Sequence, residues 1–190
     1  VNGNVLIGID GNITMDAAGA NTFRFGATLT ETPAALPGES GGVINLNNGA
    51  TVKVAVDGDI TMIGTGATNE LYIGENAFYT GNVMMGTVYG DDLSARNILV
   101  VEEIGNIQFT SLAMTAVENN VILNGNGAIG TVNGIRGGVN DFTIGKGVTV
   151  NSPIVFQDII DADLIGTEGY TILANAANSV ALYGTAFGID

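Results

Sequence analysis

The stretch VDGDITM, residues 56–62, decides how the chain is read, because IDGNITM stands at residues 9–15. The copies lie 47 residues apart and share five of seven letters. Each joins a turn signal to a short alternating run. Asp-Gly is a turn pair, since Gly enters positive φ without the Cβ penalty of other residues. In the run that follows, Ile60 and Met62 share one face and Thr61 takes the other, because side chains alternate along an extended chain. A turn-plus-strand phrase that returns down the sequence is expected where successive windings set like side chains on like side chains.

Outward from this phrase, steps of 47 align Ile13, Ile60, Ile107 and Ile154 in one column. Met15, Met62, Phe109 and Phe156 form a second, and Ile7, Val54, Val101 and Val148 a third. Gly11, Gly58 and Gly105 precede the Ile column, and Ser152 breaks that series. Another phrase recurs between the columns: Asn, any residue, apolar, any residue, apolar, usually Gly. Its copies are NTFRFG at 21–26, NELYIG at 69–74 and NDFTIG at 140–145, with NNVILN at 119–124 a looser version. The step of 47 therefore reads as two windings of roughly 21–26 residues each. Asn at such fixed positions can stack as a hydrogen-bonded ladder. Loops of variable length, ETPAALPGES at 31–40 with Pro33 and Pro37, and GTVYGDDLSARN at 86–97, take up the differences. SLAMTAVENN at 111–120 and ILANAANSVAL at 172–182 carry a weak helical signal and are read as strand and turn. Pro153 opens a strand-like run, where its missing N–H does least harm.

Composition agrees with this pattern. Apolar residues make up 46% of the 190 but aromatics only 6%, so the core is expected to be mainly Ile, Val, Leu, Met and Ala. The 29 Gly and abundant Asn, beside many β-branched residues, mean short strands joined by tight turns. The expected architecture is all-β: a parallel β-helix, or β-solenoid, of about eight windings forming one domain over 1–190. Right-handed winding is expected from the general chirality of parallel crossovers. The competing architecture is a sandwich or barrel of antiparallel strands at roughly ten-residue spacing.

The formal charge of −14 comes from 19 acidic and five basic residues: Arg24, Lys53, Arg96, Arg136 and Lys146. Such a surface repels a phosphate backbone, so nucleic acid is rejected as a partner, and anionic membrane surfaces are disfavoured on the same ground. The chain has no Cys and no His, which excludes a Ser-His-Asp triad, a Cys-His pair and the usual structural zinc site. Lack of Cys also points weakly to export. The chain opens VNGNVLIGIDG without a basic leader, so an exported protein would be present here as a mature or excised piece. No apolar run reaches 18 residues, and membrane insertion of this segment is not expected.

The stretches NNVILNGNGAIGTVNG at 119–134, NDFTIGKGVTVNSPIVF at 140–156 and GYTILANA at 169–176 resemble the β-helical passenger regions of bacterial autotransporters, including the large surface antigens of the rickettsial type. The resemblance implies a right-handed parallel β-helix displayed outside the outer membrane, as an adhesin, surface-layer material or scaffold. Its partners would be copies of itself or a receptor on another cell.

Motifs for chemistry are sparse. No GxxxxGK[ST] phosphate loop occurs, and the glycines of NGNGAIGTVNG at 124–134 read as turn residues, since no helix signal follows them. QDIIDADLIGTEG carries Asp158, Asp161, Asp163 and Glu168, and YGDD carries Asp91 and Asp92; neither has calcium-loop spacing, and both read as solvated loop acids. Asp10, Asp57 and Asp59 recur at turns and are expected to shape them. A carbohydrate-active β-helix, lyase or hydrolase, is the rival functional reading. It would need Arg136 or Arg96 beside paired acids in one groove. Tyr72, Tyr79, Tyr89 and Phe78 are candidates for a sugar-binding face. No residue is assigned as catalytic, cofactor-binding or metal-binding, and no cofactor is implied. Strand-like residues begin at Val5, and the chain closes on ALYGTAFGID without a polar cap. This favours a segment of a longer solenoid, or subunits that associate end to end. The expected function is therefore a non-enzymatic extracellular surface scaffold or adhesin module.

Overall fold

The computed structural model describes residues 5–26, 52–86, 94–103, 105–154, 156–157 and 177–186. Along the chain come β1 (Val5–Asp10), β2 (Ile13–Met15), β3 (Ala20–Phe25), β4 (Val52–Asp57), β5 (Ile60–Met62) and β6 (Thr68–Ile73). They are followed by β7 (Ala77–Met85), β8 (Ser94–Val101), β9 (Asn106–Leu123), β10 (Asn126–Arg136) and β11 (Val139–Ile144). The last are β12 (Gly147–Val150), β13 (Phe156–Gln157), β14 (Ala177–Leu182) and β15 (Thr185–Ala186). Among the described residues there is no helix, and the strands form one curled 15-stranded sheet. Residues 111–120, with their weak helical signal, lie wholly inside β9. Residues 177–182 are β14, while 172–176, Pro33 and Pro37 lie outside the described residues.

Every strand pairing among the described residues is parallel, which discards the antiparallel sandwich. The pairings form three ladders. The first runs β1-β4-β7-β9-β10-β12-β15. The second starts with β2 on β5, and continues through the later parts of β7, β9 and β10 to β13. The third runs β3-β6-β8, the end of β9, then β11 and β14. The chain visits first, second and third ladders in turn and then repeats. Parallel neighbours always need such a return.

The opening phrase now has a physical account. Ile13 pairs with Ile60 and Met15 with Met62, as immediate neighbours in the second ladder. Ile60 and Met62 are fully buried, and Thr61 between them is only partly covered. Gly11, Gly58 and Gly81 all turn with positive φ, +127°, +145° and +148°. At Gly58 a Cβ would lie 2.2 Å from the Gly11 carbonyl oxygen, and at Gly81 2.2 Å from that of Gly58. The stacked turn therefore demands Gly twice over, by φ and by the closeness of the next strand. Asp59 shapes the turn as expected: its N–H donates to Asn12 Oδ1 at 3.0 Å, and its Oδ1 accepts from the Asn82 backbone N–H at 3.0 Å and Nδ2 at 2.8 Å.

The fixed step of 47 fails beyond that first pair. From Ile13 the second ladder passes to Ile60, Val83, Leu112 and Val132. Ile107 instead stands in the first ladder, between Tyr79 and Gly127. Residues 13, 60, 107 and 154 do not form one row, although Ile154 is buried. In the second column Met15 and Met62 are joined by Met85 and Met114, then Ile135 and Phe156, while Phe109 sits in the first ladder. Ile7 and Val54 pair, but Val101 lies in the third ladder. Gly81, not Gly105, continues the Gly series. The reason is unequal segment length. Along the second ladder the steps are 47, 23, 29 and 20 residues. Only the first equals the sequence repeat, because residues 27–51 intervene between β3 and β4.

The interior is aliphatic with a few rings. Ile60, Met62, Leu71, Ile73, Met85, Leu99, Leu112, Met114 and Leu123 are fully buried, as the composition implied. The scarce aromatics are used inside as well: Tyr79 meets Phe109 edge-on at 5.4 Å between ring centres, and Phe142 meets Phe156 at 5.6 Å. Each fully buried aliphatic side chain contributes about 1.5–3 kcal/mol.

Candidate functional site

The Asn phrase builds the third ladder. Asn21, Asn69, Asn97, Asn119 and Asn140 pair in register, and all five are buried. Each Nδ2 donates to the Oδ1 of the next Asn, at 2.8, 2.9, 2.9 and 2.8 Å along the row. The second amide hydrogen fastens the adjoining turn: Asn97 donates to the Met85 carbonyl at 2.9 Å, and Asn119 to that of Arg136 at 2.8 Å. An amide both donates and accepts, so a column of amides satisfies itself in a dry interior. This is the ladder expected from the sequence, with Asn97 as a further member whose phrase, NILVVE, lacks the closing Gly.

The sixth position of the phrase forms the corner where the third ladder gives way to the first. Its backbone N–H groups climb the corner from strand to strand: Gly74 donates to Phe25 O, Glu102 to Ile73 O, Asn124 to Val101 O, Gly145 to Leu123 O and Tyr183 to Ile144 O, all at 2.7–2.9 Å. Where the phrase keeps Gly, the corner is bare. Where it departs from Gly, it carries Glu102, Asn124 and Tyr183.

Two adjoining recesses open along this corner. One, of about 620 Å³, is lined by Glu103, Asn124, Asn126, Gly145, Lys146 and Tyr183. The other, of about 310 Å³, is lined by Glu75, Glu102, Glu103 and Asn124, and reaches Val100. Glu103 and Asn124 belong to both. Tyr183 is 65% exposed. Asn126 Nδ2 donates to the Glu103 carbonyl at 3.4 Å. Tyr72 donates its phenol hydrogen to Glu102, which pulls that carboxylate toward the outer face of the third ladder. Burial first, and then this hydrogen bond to a carboxylate, push the Tyr72 phenol up to about 12.

Among the described residues, those singled out from the sequence do not assemble elsewhere. Tyr79 is buried; its hydroxyl lies 2.7 Å from the Asn82 carbonyl and 3.0 Å from that of Gly58, and burial raises its pKa. Tyr72 belongs to the third ladder and Phe78 to the first, so these aromatics form no common face. Arg96 is ion-paired with Glu118, and Arg24 with Glu70 beneath a contact to the Tyr72 ring. Arg136 lies at the end of β10, where its carbonyl holds Asn119. Tyr89, Asp91, Asp92, Asp158, Asp161, Asp163 and Glu168 lie outside the described residues. Among the described residues no three acids gather as a metal site. Of the glycines of 124–134, read from the sequence as turn residues, only Gly125 lies at a turn; Gly127, at φ +132°, Gly130 and Gly134 stand within β10, where the neighbouring strand passes too close to Gly127 and Gly130 for a Cβ. Lys146 and Tyr183 escaped the sequence reading, although the departures from Gly in the Asn phrase mark the corner.

Compared with protein-family models, curated protein sequences and solved structures, the chain returns no match.

Proposed function

We propose that the chain is a right-handed parallel β-helix and serves as a non-enzymatic extracellular scaffold or adhesin module at a bacterial cell surface. The observation that carries the reading is the threefold alternation of ladders around one buried interior, with the Asn row running through five successive strands. A solenoid of this kind presents long sheet faces and gains reach by adding windings. The passenger regions that the sequence resembles work in that way. Two arginines engaged by carboxylates on the outer face, Arg24 and Arg96, support the non-enzymatic reading over a lyase or hydrolase. Partners of this module are further copies of itself or a receptor on a facing cell.

The reading is tested in two steps. Antibodies to the chain, applied to intact cells of the source organism, are expected to label the surface. Labelling only after permeabilisation overturns surface display. Negative-stain microscopy over a concentration series is expected to show end-to-end filaments as concentration rises. Separate compact particles at every concentration would remove self-association and leave receptor binding as the remaining role.

A further inference from the structure

We propose that the corner recess is a binding site for a short neutral oligosaccharide. The site would bind its sugar whether or not the chain assembles into filaments.

Glu102, Asn124, Gly145 and Tyr183 occupy equivalent places on four successive strands of the corner. Three strand spacings separate the first from the last, which is about 14 Å. Gly145 has no side chain, so the space between Asn124 and Tyr183 stays open, and one wall is an exposed phenol ring.

The chemistry then narrows the ligand. The corner N–H groups of Asn124, Gly145 and Tyr183 are already spent on the neighbouring strand, and so is that of Asn126, on Gly105. A peptide strand would find these four N–H groups already paired, which disfavours strand addition along the corner. What the recess offers is side-chain polarity of every kind: two amides, a carboxylate, an ammonium and a phenol. Amides both donate and accept, the Lys side chain donates, and a carboxylate such as that of Glu103 accepts. Tyr adds a flat apolar body with a polar tip. The matching ligand has one C–H face to lie on the ring and a rim of hydroxyls, each donor and acceptor, for the amides and charges. That is the surface of a sugar ring. Glu103 beside the site, on a chain of net charge −14, disfavours uronic or sulfated units.

The test uses the full chain and a panel of neutral trisaccharides built from glucose, mannose, galactose or N-acetylglucosamine. Binding is followed by amide NMR shifts. At least one member is expected to shift the signals of Asn124, Lys146 and Tyr183. Tyr183→Ala is expected to weaken it about tenfold or more, and Tyr183→Phe to stay within about threefold, because the ring is kept. Asn124→Ala reads the polar wall separately should Tyr183→Ala fail to fold, and is expected to weaken binding several-fold. Val117→Ala, on an exposed residue of another corner, is expected to leave affinity unchanged. Absence of shifts at these residues up to about 10 mM sugar overturns the proposal. So does undiminished binding by folded Tyr183→Ala, or by Asn124→Ala where the Tyr183 variant does not fold. Tighter, salt-sensitive binding of a sulfated or uronic-acid oligomer overturns the neutral class.

Discussion

A single amide shows how closely this interior is specified. Asn97 accepts from Asn69 at 2.9 Å and donates to the Met85 carbonyl and to Asn119, both at 2.9 Å. Among the described residues, no buried side-chain nitrogen or oxygen lacks a partner. Asn97→Ala would leave an Asn69 donor, an Asn119 acceptor and the Met85 carbonyl without that partner in a dry environment. Each orphaned group costs about 1–3 kcal/mol, so the variant is expected to lose about 2–4 kcal/mol after relaxation. Urea unfolding followed by circular dichroism measures it. A loss below about 0.5 kcal/mol would mean that water enters the row and that the ladder is ornamental. The sequence hid Asn97 for a simple reason. Its phrase, NILVVE, ends in Glu102, whereas three of the four copies read from the sequence end in Gly.

At the scale of the element, inside and outside alternate residue by residue. In β7, Met85 is fully buried, whereas its neighbour Met84 is 42% exposed. Met85→Ala is expected to cost about 2–5 kcal/mol, and Met84→Ala within about 0.5 kcal/mol of nothing. Chemical denaturation of the pair checks it. Equal losses would mean that β7 does not keep one face inward. Short-range order of this kind was legible in the sequence: Ile60 and Met62 inward, Asp-Gly at the turn, Asn in a row. Long-range register was not. Columns drawn at a constant step went astray at Ile107 and Phe109, because residues 27–51 and 87–93 lengthen some passages and not others. Side-chain alternation is fixed by local backbone geometry, while register depends on how much chain each corner holds. The recess was illegible for the same reason. Lys146 and Tyr183 come together with Glu103 only after three further strands of the third ladder, β9, β11 and β14, have been laid in register.

The molecule as a whole carries too much of one sign. Its net charge is −14, and identical charges are stacked by the register itself, with Asp10 directly beside Asp57 on neighbouring first-ladder strands. Strands in that position lie about 4.8 Å apart, where like charges repel. Against this stand, among the described residues, two Arg–Glu pairs, Arg24–Glu70 and Arg96–Glu118, at least one partner of each being more than half exposed. Exposed pairs contribute only about 0.2–1 kcal/mol each. Added salt weakens attraction and repulsion alike, but the repulsions are more numerous and reach further, so screening them dominates. Raising NaCl from about 0.02 M to about 0.5 M is therefore expected to stabilise the fold by about 1 kcal/mol and to promote end-to-end assembly at a given concentration. Urea midpoints across a salt series measure the first effect, and sedimentation velocity across the same series measures the second. A midpoint that falls with salt would show that the two ion pairs outweigh the self-repulsion. A rising midpoint without assembly would place the barrier to association in the shape of the strand edges rather than in charge.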